Sequence, residues 1–229
     1  MTAFRVSHTI RYWIGAERYI KEVRPDYEIT TDGTLVHSCG KQIYSCGMDA
    51  GSANQIIHEL LLENPEAEIT VSSGRQVFWN SLHIAESEKL HKAIYHDYAE
   101  PLSGQINKIA AELSDPGKAA EIARKYHCRL QSYRGENLYA FLPENSGKIQ
   151  AILELTKLLD ISLKEIVSFG DDLNDMEMLR ICGRGVAVSN AVMEVKAAAD
   201  WITLSNDEDG VADWIERHIL PACPLYKKA

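Results

Sequence analysis

The chain has 229 residues, 45% hydrophobic and 25% charged, with a formal net charge of −9. A chain of this length accommodates a core domain plus a smaller insert, and its mixed composition excludes disordered and fibrous classes. The acidic balance repels phosphate backbones and anionic bilayers, so neither nucleic acid nor membrane is an expected partner.

Cys39, Cys46, Cys128, Cys182 and Cys223 are an odd set with no CxxC pair, which fits a reduced, cytoplasmic setting. No run approaches the roughly 20 apolar residues of a membrane span, and Met1 to Tyr12 has no signal-like apolar stretch.

In chain order, a helical stretch from His8 to Val23 stops before Pro25, and no strand is expected ahead of it. A strand follows at Tyr27 to Thr30, then a turn at Asp32-Gly33. A hairpin pairs Thr34 to His37 with Gln42 to Tyr44 across Cys39-Gly40. In a doubly wound sheet the first strand is central, so this chain is expected to begin after it. It should compensate by direct pairing of the neighbouring strands, by insertion of Thr2 to His8, or by borrowing a strand in a homo-oligomer.

The middle reads as a helix at Ala53 to Leu62, a hairpin of Glu68 to Val71 with Gln76 to Trp79, and a helix at Lys118 to Tyr126. Strands Cys128 to Tyr133 and Asn137 to Phe141 then turn at Arg134-Gly135-Glu136. Hairpins flanked by helices predict a separate α+β layer over residues 47–142, leaving 1–46 and 143–229 as the core.

From Ser146 onward, strands and helices alternate without a break. A helix carrying Ile149, Ile152, Leu153 and Leu159 precedes strands at Glu165 to Phe169, Gly185 to Val188 and Trp201 to Leu204. Helices at Asp175 to Leu179, Ala191 to Ala199 and Val211 to Ile219 separate or follow them, as in a parallel α/β sheet.

Gly170-Asp171-Asp172-Leu173-Asn174-Asp175 places three carboxylates and an amide just past the end of a strand, where open α/β sheets bind ligands. Oxygen donors on a glycine-led turn suit Mg²⁺; an acidic helix N-terminus serving only as a cap reads equally well. Lys148 heads the preceding helix, where the helix dipole disfavours a cation. It is either solvated surface or a charge facing the acidic loop and a phosphate oxygen.

Ser146-Gly147-Lys148, GDDLNDMEML and GVAVSNAVMEVKAAADWIT resemble the third and fourth motifs of Cof-type haloacid dehalogenase-like (HAD) phosphatases. ITTDGTLV and GKQIY resemble, more weakly, the segment leading into that family's cap. The resemblance implies a doubly wound, Rossmann-like α/β core with an inserted α+β cap. It also implies Mg²⁺ as cofactor and a small phosphorylated, sugar-phosphate-like metabolite as partner.

Carried over, Lys148 steadies the phosphoryl group, while Asp171, Asn174 and Asp175 hold the metal. Asp32 and Gly33 contact substrate. Asn190 is a positioning group or simply a helix N-cap, and Thr2 matches the second motif's hydroxyl or is a terminus without a role. In the cap, His83, His91, His96, Tyr133 and Arg134 are either substrate-facing or ordinary solvated residues.

The family's first motif, D-x-D-G-T, does not occur; Thr30-Thr31-Asp32-Gly33-Thr34 imitates it with a hydroxyl in the nucleophile's place. Hydrolysis is therefore expected to be impaired. The alternative is a non-catalytic metal- and phosphate-ligand-binding protein derived from such an enzyme.

Overall fold

The computed structural model describes residues 4–9, 12–83, 92–133 and 136–222. It divides into two compact units, Phe4–Ala151 and one containing Ile152–Ala229.

The first unit opens with β1 (Val6–His8), α1 (Trp13–Val23) and β2 (Tyr27–Thr30). β1 runs parallel to β2, with Val6 opposite Tyr27 and His8 opposite Ile29. This corrects the expectation that no strand precedes the first helix: three residues are too few to show a period of two. Because the ladder takes residues 6–8, α1 starts at Trp13 rather than His8. It ends where Arg24 turns left-handed at φ 49° and its N–H reaches the Ile20 carbonyl, one residue before Pro25.

β3 (Leu35–Ser38) and β4 (Lys41–Ser45) complete a sheet of order β1-β2-β3-β4. Their turn has positive φ at both Cys39 and Gly40, the geometry that matches strand twist in a two-residue hairpin.

α2 (Ala50–Glu63) follows, capped by the Asp49 carboxylate accepting from the Ser52 N–H. Then come β5 (Ile69–Ser73), β6 (Gln76–Trp79), β7 (Ile94–Tyr95) and β8 (Lys108–Glu112). α3 (Pro116–Lys125), β9 (Cys128–Ser132) and β10 (Leu138–Pro143) close the layer. The strands form a six-stranded sheet of order β7-β6-β5-β8-β10-β9.

The strand period of two divides this sheet's side chains cleanly. Ile69, Val71, Ile109, Ala111, Tyr139 and Phe141 pack with Ile56, Leu60, Ala119 and Ile122 of the two helices. The opposite face is lined by the smaller Ala110 and Ala140 with Leu142. Lys108 and Arg129 alternate onto that same face.

α4 (Lys148–Leu159) leads into the second unit, which holds β11 (Val167–Gly170), α5 (Met176–Ile181), β12 (Arg184–Val188), α6 (Met193–Ala198), β13 (Trp201–Thr203) and α7 (Gly210–His218). Its three strands are all parallel, in the order β11-β12-β13. Leu179, Ala187, Val188, Ala191 and Val195 form one core, and Trp214 meets Phe169 edge-on at 5.5 Å. No helix among the described residues is long and apolar enough to cross a membrane.

Candidate active site

In the first unit, β2 runs into three successive left-handed residues, Thr31 at φ 54°, Asp32 at φ 55° and Gly33 at φ 86°. For a β-branched threonine this is an outlier, and each such non-glycine residue costs about 1–3 kcal/mol unless its surroundings fix it.

The surroundings here are polar and buried. Lys108 Nζ stands 2.7 Å from Asp32 Oδ2, with both side chains no more than 5% exposed. The Tyr133 hydroxyl donates to the same carboxylate oxygen at 3.1 Å and accepts from Lys108 at 2.7 Å. The Lys108 ammonium lies 4.7 Å from the Tyr12 ring centroid, and the Tyr12 hydroxyl meets Thr70 Oγ1 at 2.7 Å. Burial opposes the Lys108 charge, but the Asp32 carboxylate more than offsets it, so the ammonium titrates above the ordinary lysine range. Burial likewise pushes the Tyr133 phenol up.

Arg129 connects this turn to the loop before α4. Its Nη2 donates to the Asp32 carbonyl at 3.3 Å and its Nε to the Ser146 hydroxyl at 3.4 Å. Gly33 completes the junction: a Cβ there would stand 2.2 Å from the Gly147 carbonyl carbon and 2.5 Å from the Lys148 nitrogen. The first unit thus gathers Asp32 and Gly33 beside the Ser146-Gly147-Lys148 segment. Lys108 and Arg129, unread in the sequence, join them, as does Tyr133, whose hydroxyl is held by Lys108 and Asp32 and is not simply solvated.

In the second unit, Asp171–Asp175 lies at the carboxyl end of β11. The buried Asp175 folds back over the strand end, its Oδ2 accepting from the N–H groups of Asp171 at 3.2 Å and Asp172 at 3.4 Å. A Cβ on Gly170 would come within 2.5 Å of Asp175 Cβ, so only glycine permits this fold-back. The Asp172 carboxylate caps Leu173 at 2.8 Å, while Asp171 remains exposed.

Among the described residues no three His, Cys, Asp or Glu side chains converge as a metal-binding group. The donors are nonetheless hard oxygens on a rigid turn. They fit in kind an ion that takes one or two carboxylates and fills its other positions with water and phosphate oxygens.

Asn190 caps no helix, since α6 starts at Met193 with Val192 at its cap. Its side chain instead meets Asn206, donating at 2.5 Å to Oδ1 and accepting from the backbone N–H at 3.2 Å, which ties the loops after β12 and β13 together. His96 accepts from the Tyr98 N–H at 3.0 Å and packs against Phe78. Thr2, His91 and Arg134 lie outside the described residues. A surface groove lined by Asn54, His58, Glu59, Lys125 and Tyr126 sits on the helical side of the six-stranded sheet, where Glu59 is engaged by Lys125 and Tyr126.

A family model described as haloacid dehalogenase-like hydrolase matches residues 8–215. The chain belongs to that family. The putative phosphatase YxeH of Bacillus subtilis is 40% identical over 90% of this chain and 82% of its own length. The 5-amino-6-(5-phospho-D-ribitylamino)uracil phosphatase YwtE of the same organism is 36% identical over 45% of this chain, an alignment spanning only 36% of YwtE. A crystal structure of a HAD-like hydrolase from Bacteroides thetaiotaomicron superposes with a TM-score of 0.77 at 23% identity, covering 93% of this chain and 85% of that one. The Rossmann-like α/β core with an α+β cap is therefore this chain's HAD fold, and the Cof-type resemblance carried by its motifs is family membership.

Proposed function

We propose that this HAD chain binds the phosphate of small, sugar-phosphate-like metabolites with Mg²⁺, in the manner of a phosphoric monoester hydrolase. The observation that carries this reading is the acidic Asp171–Asp175 turn at the carboxyl end of parallel β11, within a chain of this family. The similarity to the putative phosphatase YxeH and to the phosphatase YwtE supports it. Residues 47–142 act as the cap, and the setting is cytoplasmic.

Asp171, Asn174 and Asp175 would hold the ion, which neutralises charge on phosphoryl oxygens when bound. Lys148 would contribute a point charge to a phosphoryl oxygen, and Asp32 and Gly33 would face the leaving group. Asn190 fixes its loop through Asn206. The Thr2 hydroxyl would contact a phosphoryl oxygen.

No D-x-D-G-T string occurs in the 229 residues, so an in-line aspartate nucleophile is missing from them and hydrolysis is impaired. The alternative reading, a non-catalytic binder of metal and phosphate ligands, draws on that same feature. Hydrolysis of p-nitrophenyl phosphate with Mg²⁺ tests the point. Near-background turnover is expected, because loss of a nucleophile removes several orders of magnitude in rate. Robust Mg²⁺-dependent turnover that vanishes in Asp171→Ala would instead show a working phosphatase and overturn the impairment.

A further inference from the structure

We infer that Lys108 and Tyr133, acting with Asp32, are specificity-determining residues that read the hydroxyl groups of the substrate's leaving group. The inference rests on the phosphate-binding reading above. It assigns the face of the six-stranded sheet that carries Lys108, opposite the face packed by α2 and α3, to recognition of polyol and sugar phosphates, as opposed to aryl phosphates.

Three observations carry it. The first is placement: Asp32 is followed by Gly33, whose Cα packs on the Gly147–Lys148 backbone, so the trio adjoins the lysine assigned to the phosphoryl group. The second is composition. The cluster offers an ammonium donor, a carboxylate acceptor and a phenol that does both, within 2.7 to 3.1 Å of one another. A hydroxyl also donates and accepts, so each hydroxyl of a polyol can exchange into this network without leaving a charge unpaired.

The third is that stability does not require the arrangement. A buried ion pair contributes little or nothing relative to apolar residues of similar volume, and Ala110, Ala140 and Leu142 form an apolar cluster on this same face. Placing an ammonium and a carboxylate there makes physical sense if they bind something. Tyr133 is the least buried of the three, so a ligand would approach the cluster from its side. An aryl leaving group would bury the same charges against a ring that can neither donate nor accept, and a site built for hydroxyls rejects such an analogue strongly.

The test measures dissociation constants by titration calorimetry with Mg²⁺ for D-ribose 5-phosphate, phenyl phosphate and inorganic phosphate. The proteins compared are the unaltered chain, the double variant Asp32→Asn/Lys108→Met and the milder Tyr133→Phe. The unaltered chain should prefer ribose 5-phosphate over phenyl phosphate by about 10-fold or more, the worth of one or two charge-assisted hydrogen bonds. The double variant should lose that preference while still binding inorganic phosphate. Tyr133→Phe, which removes a single hydroxyl and covers the case of a double variant that does not fold, should reduce the preference about 3-fold or more.

Equal affinity for both esters in the unaltered chain, or an undiminished preference in the variants, overturns the assignment while the phosphate reading stands. Absence of inorganic phosphate binding in the unaltered chain would sink the phosphate reading and this inference with it.

Discussion

Gly33 and Gly147 touch backbone to backbone: a Cβ on Gly33 would lie 2.2 Å from the Gly147 carbonyl carbon. Gly33 also sits at φ 86°, so an alanine meets a steric and a conformational obstacle together. A Cβ on Gly147 would meet nothing within 4 Å. Gly147 is itself at φ 152°, so Gly147→Ala carries conformational strain alone, while Gly33→Ala carries strain and a clash and should destabilise the chain by about 2 kcal/mol or more, beyond the loss in Gly147→Ala. Urea unfolding of the two variants side by side decides this; equal effects would mean that the glycine contact is not what joins the turn to the loop.

The Asp32–Lys108 pair makes a second prediction. Lys108→Met or Asp32→Asn alone should cost about 3–5 kcal/mol, since each strands the other charge in a buried setting. The double variant should recover most of that loss. A thermodynamic cycle over the four proteins would show strong coupling; additive losses would mean the two charges act independently.

His37 is fully buried, and neither ring nitrogen has a hydrogen-bond partner among the described residues. Burial, helped by the Arg75 charge, lowers its pKa from 6.5 to about 4. The unfolded chain takes up this proton as pH falls through 6.5, while the folded chain does so only near pH 4. The stability tied to His37 is thus complete above pH 6.5 and declines toward pH 4, by at most roughly 3 kcal/mol. His37→Leu should flatten this part of the stability profile without loss at pH 7, because it removes an unsatisfied polar group. An unchanged slope would show that other groups set the acid sensitivity.

Much of the fold was legible because local chemistry and tertiary structure agree. Tyr27–Thr30 is legible to the residue, with Pro25 before it and the Asp32-Gly33 turn after it. Cys39-Gly40 gave the hairpin, and the acidic turn was visible because Gly170 and three aspartates mark the end of β11.

β8 was illegible for the opposite reason. Lys108-Ile109-Ala110-Ala111-Glu112 is built of helix-favouring residues, yet it lies between β5 and β10 with Ala110 opposite Ala140. Tertiary packing overrides propensity there, with Ala110 and Ala140 buried opposite one another between flanking strands. Lys108 is hidden along with β8, since nothing local reveals that a lysine will meet an aspartate 76 positions away. Arg129 was hidden similarly, its partners being the Asp32 carbonyl and the Ser146 hydroxyl.

The central claim, Mg²⁺-dependent phosphate binding by this chain, is tested most directly by calorimetric titration of inorganic phosphate with and without Mg²⁺. The unaltered chain, Lys148→Met and Asp171→Asn should be compared, with circular dichroism confirming that each is folded. Binding should require Mg²⁺ and weaken about 10-fold or more in both variants, as expected when one charged contact to a phosphate is removed. Phosphate binding of equal strength without Mg²⁺, or binding indifferent to both substitutions, would contradict the account.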